Sequence, residues 1–256
     1  MLKLLLTILL LSVTTLLHAQ TWEIGAGIGG AGYMGDLNQN NPLQISGISL
    51  SGFLKYNFNG YLSVKGNLNF AKIGAADSTS NNAYRQNRNL DFRNRILEGS
   101  VMGEFNFMHY IPDAGKNKFT PFVFLGFGLA INSPYTEIND RRVYLRNQKT
   151  EGQSYPPYIM AIPFGAGVKY NIGGKFNLIG DIGYRYAFTD YLDDVSGAYV
   201  NPATQGTLAR RLADRSPGRN AVTGSQRGDL RRNDMYMFIN ISLSYTFVTA
   251  KCYFDR

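Results

Sequence analysis

The strongest constraint on the fold is a strict alternation of apolar and polar side chains between residues 235 and 247. The apolar positions are Met235, Met237, Ile239, Ile241, Leu243, Tyr245 and Phe247. A period of two indicates a β-strand with two different faces. Aromatic residues at the end of so long an alternation are typical of a membrane strand, which turns one face to lipid and the other to the lumen of a barrel. The segment therefore predicts a transmembrane β-strand.

Seven further segments repeat this alternation. Their apolar faces carry Trp22, Ile24 and Ile28; Ile48, Leu50, Leu54 and Tyr56; Leu62, Val64, Leu68 and Phe70; Leu97, Val101, Phe105 and Phe107; Val123, Leu125, Phe127, Leu129 and Ile131; Met160, Ile162, Phe164 and Val168; and Phe176, Leu178, Ile182, Tyr184 and Tyr186. Bacterial barrels built from one chain have an even number of antiparallel strands. The sequence predicts an all-β fold over residues 20–249, an eight-stranded antiparallel transmembrane β-barrel of the outer-membrane type.

The opposite faces of the segments distinguish a membrane barrel from a soluble sandwich, whose inner face would be apolar. They carry four acidic and four basic side chains, namely Glu23, Lys55, Lys65, Glu98, Glu104, Lys169, Asp181 and Arg185. Inside a narrow barrel such groups can pair and fill the interior with side chains. We predict that these residues form a lumen charge network rather than an open channel.

The glycines of the first segment raise the question of a cofactor loop. Gly25, Gly27 and Gly30 match the G-x-G-x-x-G spacing of dinucleotide-binding proteins. That fold also needs a helix after the glycines and an acidic residue about 20 positions later, whereas residues 37–76 contain no Asp or Glu. Gly25, Gly27 and Gly29 instead share the lumen face, where they leave room for neighbouring side chains. No cofactor is expected.

The first 19 residues have the pattern of a cleaved signal peptide. Lys3 precedes an unbroken apolar run that ends in a small residue, Ala19, before Gln20. An exported chain does not meet nucleic acid, so a net charge of +8 favours anionic partners at the cell envelope, such as outer-membrane lipid and lipopolysaccharide.

The connections between the segments alternate in length. Residues 57–60, 111–118 and 171–174 are short turns, and residues 33–45, 73–91, 132–156 and 189–233 are long loops. Outer-membrane barrels have short periplasmic turns and long extracellular loops. We therefore expect both termini, including a C-terminal tail at residues 250–256, to lie in the periplasm.

The chain offers little for catalysis. His109 is the single histidine after the predicted signal peptide, and we expect it at the periplasmic end of the fourth strand, whereas barrel enzymes act near the outer leaflet. One His and one Cys on separate elements cannot form a metal cluster. We expect no enzyme activity, no metal and no small-molecule substrate. Asp193 and Asp194 could meet calcium, but a solvated turn is the favoured interpretation.

The fourth long loop is strongly basic. It contains Arg210, Arg211, Arg215, Arg219, Arg227, Arg231 and Arg232, and residues 207–215 are predicted to form a short helix. Arginine suits bidentate contacts to phosphate, as in lipopolysaccharide. A solvated loop, with Asp214, Asp229 and Asp234 as counter-charges, is the alternative.

Three short motifs occupy the loops: GYMGDLN at residues 32–38, YLDDVSGAYV at 191–200 and QRGD at 226–229. With a cysteine in a short tail, they resemble the PorG-like family of Bacteroidetes outer-membrane proteins. The motif positions that carry the resemblance are Tyr33, Gly35, Asp36, Leu37, Tyr191, Asp193, Asp194, Arg227 and Gly228.

The resemblance implies a component of the type IX secretion system, which associates with a periplasmic ring built partly from a lipoprotein. Cys252 is then a candidate for an intermolecular disulfide in the oxidising periplasm. Tyr253 and Phe254 beside it could dock into an apolar groove of that partner. The alternative function is a surface barrel that binds a ligand or matrix through its basic extracellular loops.

Overall fold

Eight long strands close into an antiparallel barrel in the computed structural model, which describes residues 21–112, 117–229 and 231–247. The barrel strands are β1 (Thr21–Met34), β2 (Ile45–Asn57), β3 (Leu62–Ala76), β4 (Asp91–Asn106), β5 (Phe119–Ile131), β8 (Tyr158–Gly173), β9 (Phe176–Ala187) and β10 (Met235–Phe247). The loops contain strands β6 (Tyr135–Ile138) and β7 (Arg141–Tyr144), helices α1 (Ala83–Arg88) and α2 (Thr207–Ala213), and 3₁₀ turns at Asp77–Thr79 and Pro202–Thr204. The predicted eight-stranded fold is confirmed.

Each barrel strand pairs with the next barrel strand, and β1 pairs with β10 to close the ring. Trp22 lies opposite Phe247 at one end of this last pair, and Met34 lies opposite Met235 at the other. The short connections share the end that holds Trp22 and Phe247, which we call the turn end. The long connections share the opposite end, the loop end.

Polarity is distributed around the barrel as the alternation predicts. In β3, the side chain of Leu68 is 65% exposed, whereas its neighbour Asn69 is fully buried. Aromatic side chains gather on the outside at the turn end, where the rings of Trp22 and Tyr56 lie 4.9 Å apart. An apolar exterior around a polar interior is the arrangement of a barrel whose surroundings are lipid.

Met237 departs from this pattern. Its position in the alternation predicts lipid contact, but its side chain is only 1% exposed. The Met237 methyl group and the Gln44 carbonyl both lie beside Gly32, and the Tyr184 hydroxyl donates to the Pro42 carbonyl at 3.2 Å. The first long loop therefore folds over the outer surface of the barrel at the loop end.

The barrel interior changes character along its axis. Near the turn end it holds charged and polar side chains, and near the loop end it continues into an apolar core shared by strands and loops. This core includes Ala31, Ile73, Phe92, Ile96 and Phe238 from the strands and Leu90, Leu192, Val195 and Leu212 from the loops. Strands as long as 16 residues exceed the roughly 9–11 residues that cross a bilayer. The strands are therefore longer than a membrane crossing requires, and the loop end carries its own hydrophobic core.

The lumen-facing glycines of β1 allow close packing. A Cβ added at Gly29 would collide with the carbonyl of Ile239 and with Asn240 in β10. A Cβ at Gly27 would meet Ser51 on one side and Ser242 on the other. The absence of side chains here lets β1 approach both neighbouring strands.

The β6–β7 hairpin was not predicted. Asn139 and Asp140, which form its two-residue turn, have φ angles of 50° and 59°, and such values are typical of the turns that favour Asn, Asp and Gly. Strands of four residues are too short for alternation to reveal. Within the described ranges, no helix is long and apolar enough to cross a membrane. The predicted signal peptide and the C-terminal tail lie outside those ranges.

Candidate functional site

Glu104 of β4 lies at the centre of a group of buried charges in the lumen near the turn end. Its Oε1 is 2.8 Å from Lys65 Nζ, and its Oε2 is 2.6 Å from Lys169 Nζ. Lys55 Nζ is 3.7 Å from the same Oε2 and 2.8 Å from Glu23 Oε2. All five side chains are at most 8% exposed. The structure thus brings together five of the eight residues expected in the lumen charge network.

A second polar group surrounds Glu98 farther along the lumen. Arg185 Nε and the Tyr236 hydroxyl approach Glu98 Oε2 at 3.3 and 2.8 Å, and Asn69 donates to Oε1 at 3.1 Å. Asp181 and Arg185 line a cavity of about 10 Å³ beside this group, which is close to the smallest space that holds one water molecule. Side chains therefore fill the middle of the lumen.

The loops at the loop end fold over the barrel as a cap, formed by residues 35–44, 77–90, 132–157, 188–229 and 231–234. The three motif segments meet inside it. The Tyr33 hydroxyl donates to Asp193 Oδ2 at 2.6 Å and lies 3.3 Å from Asp234 Oδ1. The backbone N–H of Asp229 donates to the Asp36 carboxylate. Motif residues that are far apart in the sequence are therefore neighbours in the cap.

Two buried arginines tie the cap loops to one another. Arg227 Nη1 donates to Glu151 Oε1 at 2.7 Å and to the carbonyl of Asp194 at 2.8 Å. Arg88 donates to both carboxylate oxygens of Asp77 at 2.7 Å and also to the carbonyl of Arg227. Such buried, multiply bonded arginines fix loop positions, because removing one leaves several buried acceptors without a donor.

The other motif positions shape the backbone and core of the cap. An added Cβ at Gly35 would collide with the Asp234 carboxylate and the Tyr33 hydroxyl, and one at Gly228 would collide with the Ser196 carbonyl. Leu37 is 4% exposed and belongs to the apolar core. The ring of Tyr191 stacks on Tyr155 with centroids 4.5 Å apart.

The prediction that Asp193 and Asp194 form a solvated turn is wrong, since they are 2% and 1% exposed. Asp194 accepts hydrogen bonds from the hydroxyl of Tyr155 at 2.6 Å and from that of Thr150. Asp193 accepts from the backbone N–H of Val195 at 2.9 Å. The turn is buried because it lies against the apolar core of the cap.

The basic fourth loop is only partly solvated, and the predicted helix is present as α2. Asp214 is 8% exposed and accepts hydrogen bonds from its own turn rather than from an arginine. Arg215 pairs with Asp91 at the start of β4. On the outer side, Arg211, Arg215 and Arg219 line a groove of about 440 Å³.

Three carboxylates that sequence reasoning did not connect meet beside Tyr33. Asp36, Asp190 and Asp234 each place a carboxylate oxygen within 4.8 Å of the other two. Asp36 and Asp234 are each 1% exposed, and Asp190 is half-buried. Asp36 Oδ2 and Asp190 Oδ1 have no hydrogen-bond partner among the described residues.

The surroundings of these carboxylates oppose their ionisation. Burial, reinforced by the neighbouring carboxylate of Asp193, raises the pKa of Asp36 and that of Asp234 above the ordinary range. Burial also raises the pKa of Asp190 to about 6. Carboxylates that are buried close together repel one another when ionised.

The sequence does contain a signal for this cluster, because all three aspartates lie close to the ends of predicted strands. Asp36 follows the last residue of β1 by two positions, Asp190 follows β9 by three, and Asp234 directly precedes β10. Because β9, β10 and β1 are adjacent in the barrel, residues at their loop ends lie close together.

Two of the remaining predicted features concern the turn end. His109 packs against the ring of Tyr61 with centroids 5.3 Å apart. Cys252, Tyr253 and Phe254 lie outside the described residues, so their part in partner binding stays a prediction.

A family model described as "Domain of unknown function (DUF6089)" matches residues 2–205. The chain belongs to this family. No curated protein has a matching sequence.

Several solved outer-membrane structures resemble the chain at low identity. Neisserial surface protein A is 11% identical with a TM-score of 0.44, covering 88% of this chain and 97% of its own. OprG from Pseudomonas aeruginosa is 11% identical with a TM-score of 0.45, covering 91% and 98%. A major outer membrane protein from Thermus thermophilus is 17% identical with a TM-score of 0.41, covering 90% and 100%. With TM-scores below 0.5, these likenesses carry no weight for the function, which has to be inferred from the chain's own residues.

Proposed function

We propose that the protein is an outer-membrane barrel that anchors a periplasmic complex, rather than a channel or an enzyme. The filled lumen is the observation that carries this proposal. Lys55, Lys65 and Lys169 close around Glu104 in the lumen, and the cap covers the loop end. A barrel closed in this way supports an anchoring role, because it holds a fixed position in the membrane without conducting solutes.

The membrane location is supported by the exterior of the barrel. Large apolar side chains such as Ile28, Leu68 and Phe127 are 65–75% exposed. An apolar surface of this extent around a whole barrel would not stay dispersed in water. In the proposed orientation, the turn end and both termini face the periplasm and the cap faces outward.

The specific complex that we propose is the type IX secretion machinery, as the PorG-like resemblance implies. The resemblance rests on the loop motifs, and these motifs supply the buried contacts of the cap, such as the hydrogen bond of 2.6 Å from Tyr33 to Asp193. Their residue types therefore have a structural reason to occur together. The proposed partner is a lipoprotein of the periplasmic ring, which would meet the turn end and the tail that follows β10.

Cys252 provides the test of this role. It lies five positions after Phe247, so an extended tail carries it at most about 16–18 Å beyond the barrel. Membranes from cells that express the wild type or Cys252→Ser are compared on gels with and without reductant. A high-mass band that contains the ring lipoprotein, requires Cys252 and disappears with reductant is the expected result.

A non-covalent contact between the barrel and the ring lipoprotein is detected by cross-linking in cells, followed by mass spectrometry of the attached peptides. If the protein is a monomer on both gels but is cross-linked from the turn end to a periplasmic lipoprotein, the disulfide is ruled out and the anchoring role is still supported. Absence of any periplasmic cross-link would contradict the anchoring role.

A surface barrel that binds an anionic ligand is the second candidate. The groove beside α2 favours it, because Arg211 and Arg219 line this groove without forming an ion pair among the described residues. Arg211→Gln combined with Arg219→Gln should then weaken binding to lipopolysaccharide micelles, whereas Arg93→Gln, at an exposed ion pair, should not. Equal binding by all variants would rule out the groove as a phosphate site.

A further inference from the structure

The acidic cluster of the cap is the part of the molecule whose chemistry is least satisfied. We propose that Asp36, Asp190 and Asp234 bind a calcium ion that joins the first and fourth long loops to the ends of β1, β9 and β10. This site is independent of the secretion role proposed above.

The buried carboxylates of the cluster must either take up protons or find a positive charge. Among the described residues, no lysine or arginine forms an ion pair with Asp36, Asp190 or Asp234. The two buried arginines of the cap already have carboxylate partners, since Arg88 pairs with Asp77 and Arg227 with Glu151. Buried carboxylates are ordinarily paired with a base or coordinate a metal.

Asp36 supplies an observation independent of the clustering. Its side chain is 1% exposed, one of its oxygens accepts from the backbone N–H of Asp229, and Oδ2 has no partner among the described residues. Asp190 likewise leaves Oδ1 without a partner. A native fold seldom leaves buried polar atoms unsatisfied, and a bound ion is one of the recognised ways in which such atoms are satisfied.

The neighbouring groups orient the carboxylates as they do around metal sites. The Tyr33 hydroxyl approaches Asp234 Oδ1 at 3.3 Å, and the backbone N–H of Leu192 donates to Oδ2 at 3.1 Å. Each of these oxygens accepts at most one hydrogen bond from the described residues, so each retains a lone pair for a cation.

The geometry and ligand type favour calcium. All three ligands are carboxylate oxygens, which hard divalent cations prefer. The oxygens lie within 4.8 Å of one another, and oxygens on opposite sides of a calcium ion, at about 2.3–2.6 Å each, are about 4.6–5.2 Å apart. Magnesium demands near-octahedral geometry and usually keeps several of its waters, which suits a buried group of three carboxylates less well than the flexible coordination of calcium.

Calcium titration of the folded full chain in detergent, after treatment with chelator, tests the proposal. Terbium luminescence excited through tyrosine is the direct probe, because Tyr33 contacts Asp234, and resistance of the cap to limited proteolysis is the second readout. We expect calcium to displace terbium and to protect the cap, with a midpoint of about 10⁻⁴–10⁻³ M, as for extracellular modules.

Asp190→Asn is the decisive variant because Asp190 is half-buried and the change preserves its shape. We expect its calcium midpoint to rise at least about tenfold, while in chelator its cap resists protease at least as well as the wild type, since a repulsive charge has been removed. Asp140→Asn, at an exposed carboxylate in the turn of the β6–β7 hairpin, is the control and should keep the wild-type midpoint.

Three results would overturn the proposal. The first is a wild-type cap that neither binds terbium nor responds to calcium up to about 10 mM, well above the expected range, which would leave shared protons as the means of satisfying the carboxylates. The second is an unchanged calcium midpoint in Asp190→Asn. The third is an equal midpoint for magnesium, which would refute the assignment to calcium.

Discussion

Replacing Glu104 by glutamine should destabilise the barrel more than any equally conservative change at an exposed ion pair. Glu104 is the carboxylate nearest to Lys65 and Lys169, at 2.8 and 2.6 Å. Lys55 keeps Glu23 at 2.8 Å, so the substitution leaves two buried ammonium groups without a carboxylate partner. Glutamine has nearly the same shape, and the loss is therefore electrostatic rather than a cavity effect.

Breaking a buried ion pair by removing one partner costs about 3–5 kcal/mol. Because two lysines lose their partner at once, we expect a loss in free energy of unfolding near the upper end of this range. Glu137→Gln is the matched control, since Glu137 also pairs with an arginine, Arg93, at 2.7 Å but the two side chains are 37% and 60% exposed. An exposed pair contributes about 0–1 kcal/mol.

Urea-induced unfolding in lipid vesicles measures the difference. The chain has a single tryptophan, Trp22, which lies on the barrel exterior at the turn end and reports the transfer of β1 between lipid and water. A double variant, Glu104→Gln with Lys169→Met, should recover part of the loss because it removes one of the unpaired charges. If Glu104→Gln falls within about 1 kcal/mol of the control, which is the range of an exposed pair, the lumen charges are hydrated and the account of a lumen filled by side chains is refuted.

Three further predictions concern the exterior, the β1–β10 contact and the cap. Leu243→Arg, at a side chain 51% exposed on the outer face, should cost about 2–4 kcal/mol in lipid, and normal heat-modifiable migration on gels would contradict the lipid-facing assignment. Gly29→Ala should lower the free energy of unfolding by about 1–3 kcal/mol, because the new Cβ meets the backbone of β10. Gly52→Ala, where no atom lies within 4 Å of an added Cβ, should be tolerated, and equal urea midpoints for the two variants would argue against tight packing at Gly29. Arg227→Ala should speed proteolysis of the cap by removing contacts to Glu151 and two backbone carbonyls, while Arg211→Ala on the exposed face of α2 should not; identical digestion would show that Arg227 does not hold the loops.

The barrel could be predicted from the sequence because each strand turns alternate side chains to an apolar exterior and a polar lumen, which imposes a period of two. Glu104 and Lys169 could be assigned to the lumen on that basis alone, although not to each other, since β4 and β8 are not adjacent. Met237 shows the limit of the rule, because the period gives the face of a residue and not what covers that face.

The cap could not be predicted because loops have no period. The hydrogen bond from Tyr33 to Asp193 joins residues 160 positions apart, and Arg88 reaches a carbonyl 139 positions away. The interpretation of Asp193 and Asp194 as solvated failed for the same reason. Loop composition suggested exposure, while the loop ends of the long strands provide an apolar core that buries this turn.

The pairing of β1 with β10 has to precede the completion of the cap. Tyr33 lies near the seam on the first strand, and Asp234 adjoins it at the start of the last. These two residues meet only when β1 and β10 are paired along their length, from Trp22 and Phe247 at one end to Met34 and Met235 at the other. A barrel in which β1 and β10 are not yet paired would therefore have an incomplete, protease-sensitive cap, and a protease-resistant cap would indicate that the barrel has closed.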